Sequence, residues 1–62
     1  MKMQARMVVM SHLSDAQQLI EYGMKSEANQ RINFAKFIIL QIDLTQEIDP
    51  DYFWTEFIEK GY

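Results

Sequence analysis

The residues of this chain best suited to chemistry sit close together: His12, the only imidazole, lies between Ser11 and Ser14. An imidazole within reach of a hydroxyl is the pairing of nucleophilic catalysis, where the ring takes the serine proton and a third group orients the ring. Spacing along the chain does not bring either hydroxyl to the ring, and serine is equally at home at helix ends. Other chemistry lacks its parts. With no cysteine and one histidine, thiolate reactivity is absent and a metal site built from protein ligands alone is short of donors. The acidic residues follow neither EF-hand spacing nor a Glu-x-x-His pairing, and two glycines do not make a phosphate-binding loop. We therefore expect no catalytic residues, no metal and no cofactor. The chain reads as a protein that is not an enzyme, with His12 in a structural or surface role.

A second set of residues could meet nucleic acid. Over Met1–Met7 the odd positions Met1, Met3, Ala5 and Met7 are apolar and the even positions Lys2, Gln4 and Arg6 are polar. That alternation predicts a half-buried strand, placed at residues 3–9 with the β-branched Val8 and Val9 at its end. The alternatives are a frayed terminus or an N-terminal helical extension, since Met, Gln, Lys, Arg and Ala also suit helices. A strand alone in its chain leaves backbone groups unpaired and needs a second copy or a partner to pair with. Its outward row, Lys2, Gln4 and Arg6, consists of types suited to base edges and phosphates. Strand, short helix, glycine turn and longer helix over residues 1–43 resemble the ribbon–helix–helix arrangement. That resemblance implies a dimer whose paired strands enter the DNA major groove. The chain departs from it by starting the strand at its first residues, by a short first helix and by a third helix. A helix-turn-helix reading is also available, with Asn29, Gln30, Arg31 and Asn33 on the recognition helix.

Three helices must position these residues. The first is expected at about 15–22, capped by Ser14 with Gln17 in the capping-box position. Gly23 ends it, with Met24 placed to contact Leu19 as in a Schellman turn. The second, at about 27–43, has Ser26 as its expected cap and carries two apolar faces. Ala28, Ile32, Ala35, Ile38, Ile39 and Ile42 recur at helical spacing on one, and Phe34, Phe37, Leu40 and Leu44 lie on the other. A helix apolar on two sides needs two covers. The third helix, at about 50–60, is announced by Asp49-Pro50, a capping side chain followed by a residue with φ preset for the first turn. Its stripe is Phe53, Trp54, Phe57 and Ile58, and Gly61 stops it.

Sixty-two residues make one small domain with a marginal core, and without cysteine oligomerisation is the remaining way to add stability. The 48% hydrophobic and 24% charged composition is that of a folded chain. Its five methionines are expected to cover the core. The net charge of −3 is uneven: residues 1–36 carry five basic and three acidic side chains, residues 37–62 one basic and six acidic. An acidic second half discourages non-specific binding to nucleic acid. No run approaches a membrane span and no signal sequence is evident, so the cytoplasm is the expected compartment. The expectation is an all-α, three-helix domain with an N-terminal strand pairing between two copies. Its expected role is that of a protein–protein interaction or regulatory module acting as a homodimer. The expected interface is Phe34, Phe37, Leu40, Leu44, Phe53, Trp54 and Phe57. The alternative is a DNA-binding regulator that uses Lys2, Gln4 and Arg6.

Overall fold

The computed structural model describes residues 1–61. Two 17-residue helices, α1 (Ala5–Glu21) and α2 (Lys25–Gln41), pack against each other as a hairpin, and an 11-residue helix, α3 (Pro50–Lys60), lies across one side of it. Two short strands, β1 (Met3–Gln4) and β2 (Glu47–Ile48), join the start of α1 to the approach to α3. The architecture is the expected three-helix, mostly all-α domain with a small antiparallel sheet added.

The first helix is the main correction. It starts at Ala5, so the expected strand at 3–9 is reduced to two residues and Ser14 sits in mid-helix, capping nothing. The buried residues Ala5, Val8, Val9 and Ala16, with half-buried His12, recur at three- and four-residue steps. This helical period outweighs an alternation whose apolar members Met1 and Met7 are exposed. No side chain caps α1. Instead the backbone N–H of Ala5 donates to the Gln46 carbonyl at 2.7 Å, and that of Arg6 to the Leu44 carbonyl at 3.0 Å. Two of the orphan donors of the first turn are thus satisfied by a loop far away in sequence. The strand also finds its mate inside the chain. Met3 faces Ile48 and Gln4 faces Glu47 in the antiparallel pair, so the sheet needs no second copy. Strand β2 lies in the segment that connects α2 to α3.

The turn between α1 and α2 follows its residues. Gly23 adopts φ +78°, Met24 N–H donates to the Leu19 carbonyl at 2.8 Å and Gly23 N–H to the Ile20 carbonyl at 3.0 Å, the hydrogen bonds of a Schellman turn. Helix α2 begins at Lys25, directly out of this turn, so Ser26 lies within it and is not its cap. It ends at Gln41, two residues short of the expected 43, because Ile42 is extended. Helix α3 matches expectation at both ends. The Asp49 carboxylate accepts from the backbone N–H groups of Asp51 at 3.0 Å and Tyr52 at 3.5 Å, and Gly61 closes the helix at φ +70°.

The core gathers at the end of the hairpin that α3 covers. Ala5, Val8, Val9, Phe34, Ala35, Phe37, Ile38, Ile48 and Phe57 are buried there, with Met3, Ile42, Phe53 and Trp54 packed against them. Toward the turn only alanines are buried, Ala16 on α1 and Ala28 on α2. Small side chains there let the two helix backbones approach closely.

Candidate functional site

The polar side chains most closely drawn together across helices are His12 of α1 and Arg31 of α2, and they meet over the aromatic cluster. Phe34, on the inward face of α2, is fully buried and contacts four rings. Phe57 lies at 5.3 Å, Trp54 at 5.0 Å and His12 at 4.6 Å between centroids, all edge-on, with Phe37 at 6.3 Å. These offset and edge-to-face geometries are the favoured ones for aromatic pairs. His12 lies nearly parallel to Trp54, 5.6 Å between centroids and 12° between planes. The Arg31 guanidinium stands 4.9 Å from the Trp54 ring centre, within cation–π range. Its Nη1 also lies 3.2 Å from Nδ1 of His12.

That contact defines the protonation of the ring. Arg31 can only donate, so Nδ1 accepts, and the proton of the neutral imidazole sits on Nε2. Burial holds the His12 pKa below its usual 6.5, the Arg31 charge lowers it further, and Asp15 one turn along α1 partly opposes them. The ring is therefore neutral near pH 7. It is held by a cation instead of the carboxylate that orients a catalytic histidine. Ser11 and Ser14 are exposed, and Nδ1 of the ring meets Arg31 and neither serine. A cavity of about 170 Å³ opens beside the ring, lined by Met3, Val8, Ser11, His12 and Pro50. Among the described residues no group of three or more His, Cys, Asp or Glu is placed to hold a metal ion. No described helix is long and apolar enough to cross a membrane.

The expected interface residues divide. Phe34, Phe37 and Phe57 are buried in the chain's own core, and Phe53 and Trp54 are half-buried against it. Leu40 and Leu44 remain exposed, Leu40 at 84%. On the second apolar face of α2, Phe34 and Phe37 are thus covered by α3 and Leu40 is bare, while Leu44 lies beyond the end of the helix. Ile39, on the other face, is also exposed. Of the expected nucleic-acid row, Lys2 precedes the strand, Gln4 is its last residue and Arg6 lies in α1, where its Nε donates to Gln4 Oε1 at 3.2 Å. The three do not form the outward face of one strand. Asn29, Gln30 and Asn33 are exposed on α2, but Arg31 turns inward to His12 and Trp54. Met3 packs on the core, whereas Met7, Met10 and Met24 are exposed.

Sequence reasoning missed the Arg31–His12–Trp54 contact. The three residues lie on three helices, and no local spacing signals such a meeting. Comparison with protein-family models, with curated proteins and with solved structures finds no match to this chain.

Proposed function

We propose that this chain is a non-catalytic interaction module that associates with a second copy of itself through the uncovered part of the hairpin. The observation that supports the reading is Leu40. It stands 84% exposed beside a groove of about 380 Å³ that it lines with Asn33, Lys36, Phe37 and Gln41. The floor of that groove is the edge of a core ring, and its wall is an aliphatic side chain in water. Such an apolar site with a polar rim suits the burial of another chain's side chains.

The wider balance of the core points the same way. Seven buried residues are larger than alanine: Val8, Val9, Phe34, Phe37, Ile38, Ile48 and Phe57. Twelve large hydrophobic residues among those described are exposed, including Met7, Met10, Leu13 and Ile20 on α1 and Ile39 and Leu40 on α2. Single exposed apolar residues are ordinary. Leu40, however, continues the stripe that α3 covers at Phe34 and Phe37, and Leu44 is exposed just past the end of α2. A chain this short buries only about 60% of the surface of its unfolded form, so a second copy adds burial that the fold cannot supply alone.

Solution mass by light scattering across a dilution series tests the reading. A dimer that dissociates on dilution is expected, with Leu40→Glu shifting the equilibrium to monomer. A monomer at every concentration overturns the reading. A dimer indifferent to Leu40→Glu removes the groove from it.

A further inference from the structure

We propose that His12, Arg31 and Trp54 form an acid-released latch that holds α3 on the hairpin. Proton uptake at Nδ1 of His12 takes away the acceptor for Arg31, sets two cations against each other beside Trp54, and lets α3 lift away. The inference does not rest on self-association and concerns the chain by itself.

The geometry makes α3 the part that moves. Helices α1 and α2 run along each other for most of their length and share a tight hydrogen-bonded turn. Helix α3 meets the hairpin through rings, with Phe57 against Phe34 and Phe37 and Trp54 against Phe34 and His12. Among the described residues its side-chain hydrogen bonds stay local. Thr55 Oγ1 donates to the Asp51 carbonyl, Lys60 Nζ pairs with Glu56, and Asp49 caps the first turn. An element attached mainly through a few side chains is the first to open. Two of the groups that touch Trp54, the His12 ring and the Arg31 guanidinium, are those that a single proton rearranges.

The groups around His12 favour release in acid. From α2 comes the Arg31 cation, 3.2 Å from Nδ1. From α1 comes Asp15, among the described residues the one carboxylate that acts on the ring, in the opposite sense to Arg31. From α3 come Trp54 and Pro50 and from β1 Met3, none of them titratable. An imidazolium cannot accept from a guanidinium. Once the ring is charged, either Arg31 swings to water and leaves the Trp54 face, or the ring itself leaves its stacked position. Both uncover Trp54. Burial and Arg31 keep the ring neutral at pH 7, so the latch is closed there and opens as pH falls below the usual 6.5.

Trp54 is the only tryptophan, so its emission reports the latch directly in the full chain. Between about pH 7.5 and pH 5 we expect its emission maximum to move to longer wavelength and its quenching by acrylamide to rise about twofold, with most far-UV helical signal kept. His12→Gln and His12→Phe, which cannot titrate, should abolish the response; whichever folds serves, the second also preserving a ring against Trp54. A Trp54 signal that ignores pH in the natural chain overturns the latch. So does the same response in either non-titrating variant, or the loss of all helical signal together with the Trp54 change.

Discussion

Met3 and Ile48 face each other across the antiparallel pair, and through them the first residues of the chain are fastened to the segment that leads into α3. Ile48 is 3% exposed and belongs to the core, while Met3 packs against it. The same neighbourhood supplies the carbonyls of Leu44 and Gln46 to the first turn of α1. One short segment, residues 44–48, therefore pairs with β1, satisfies the start of α1 and adds a side chain to the core.

Ile48→Ala should accordingly cost about 2–5 kcal/mol, the range for truncating a buried isoleucine. A domain of this size starts with little to spare against the usual 5–15 kcal/mol of small proteins. The variant should thus be close to unfolding at room temperature. Urea titration followed by Trp54 emission gives the difference. A loss below about 1 kcal/mol would mean that the β1–β2 pair is not part of the cooperative unit.

What the sequence made legible was local. Asp49-Pro50 and Gly61 fixed both ends of α3 because capping and left-handed closure act within a few residues. Gly23 with Met24 and Leu19 fixed the turn for the same reason. The start of α1 was hidden, since its caps are carbonyls some forty residues away and no residue near Ala5 announces them. The MKMQARM alternation is the more regular local pattern, although Ala5, Val8, Val9 and His12 carry the helical period. Strand β2 was hidden too, because two residues with one apolar side chain give no pattern. The two-faced character of α2 was legible, but not how far α3 reaches along it. That extent depends on where the 44–48 segment delivers α3. The candidate site was the least legible part. His12 is visible in the sequence as a lone imidazole and Trp54 as one residue of a stripe, but the spacing of Arg31 with Asn29, Gln30 and Asn33 is that of an outward side chain.

At Gly23 the space around the α-carbon is open, with nothing within 4 Å of where a Cβ would stand, so only backbone strain opposes a side chain. Gly23→Ala should therefore cost about 1 kcal/mol, the penalty of placing alanine at positive φ. For a chain of this length that is a fall in Tm of about 4–8 °C. Gly23→Asn should lose less, since asparagine tolerates the left-handed region better. Thermal unfolding by circular dichroism separates the two variants. Equal losses would point to a clash that the open surroundings do not contain.

Beyond the end of α2, Asp43 Oδ1 accepts from the Thr45 backbone N–H at 2.9 Å and from Thr45 Oγ1 at 2.8 Å. These hydrogen bonds favour the carboxylate and hold the Asp43 pKa below 3.8, the backbone one contributing more. A depressed carboxyl stabilises the fold above its unfolded pKa, and that contribution disappears as pH falls through the folded value. Thr45→Val removes the hydroxyl and keeps the N–H, so the Asp43 pKa should rise part of the way to 3.8. Carboxyl carbon shifts followed through an acid titration by NMR measure it. An unchanged value would mean that the hydroxyl does not engage the carboxylate in solution.

Arg31 and Asp15 pull the His12 ring in opposite directions, which gives a prediction with two signs. Arg31→Met removes the cation that resists protonation and should raise the His12 pKa toward 6.5. Asp15→Asn removes the carboxylate that favours it and should lower the pKa further. The single histidine makes its ring proton resonance an unambiguous probe in a pH titration by NMR. The consequence for stability follows from linkage. A ring whose folded pKa lies below its unfolded one takes up its proton first in the unfolded chain. Folding is therefore undiminished above pH 6.5 and weakens as pH falls from there through the folded value. Arg31→Met should flatten this acid loss even though it removes a hydrogen bond and a cation–π contact, and Asp15→Asn should deepen it and carry it to lower pH. Should the two variants move the His12 titration in the same direction, the ring would not lie between these charges as the structure places it.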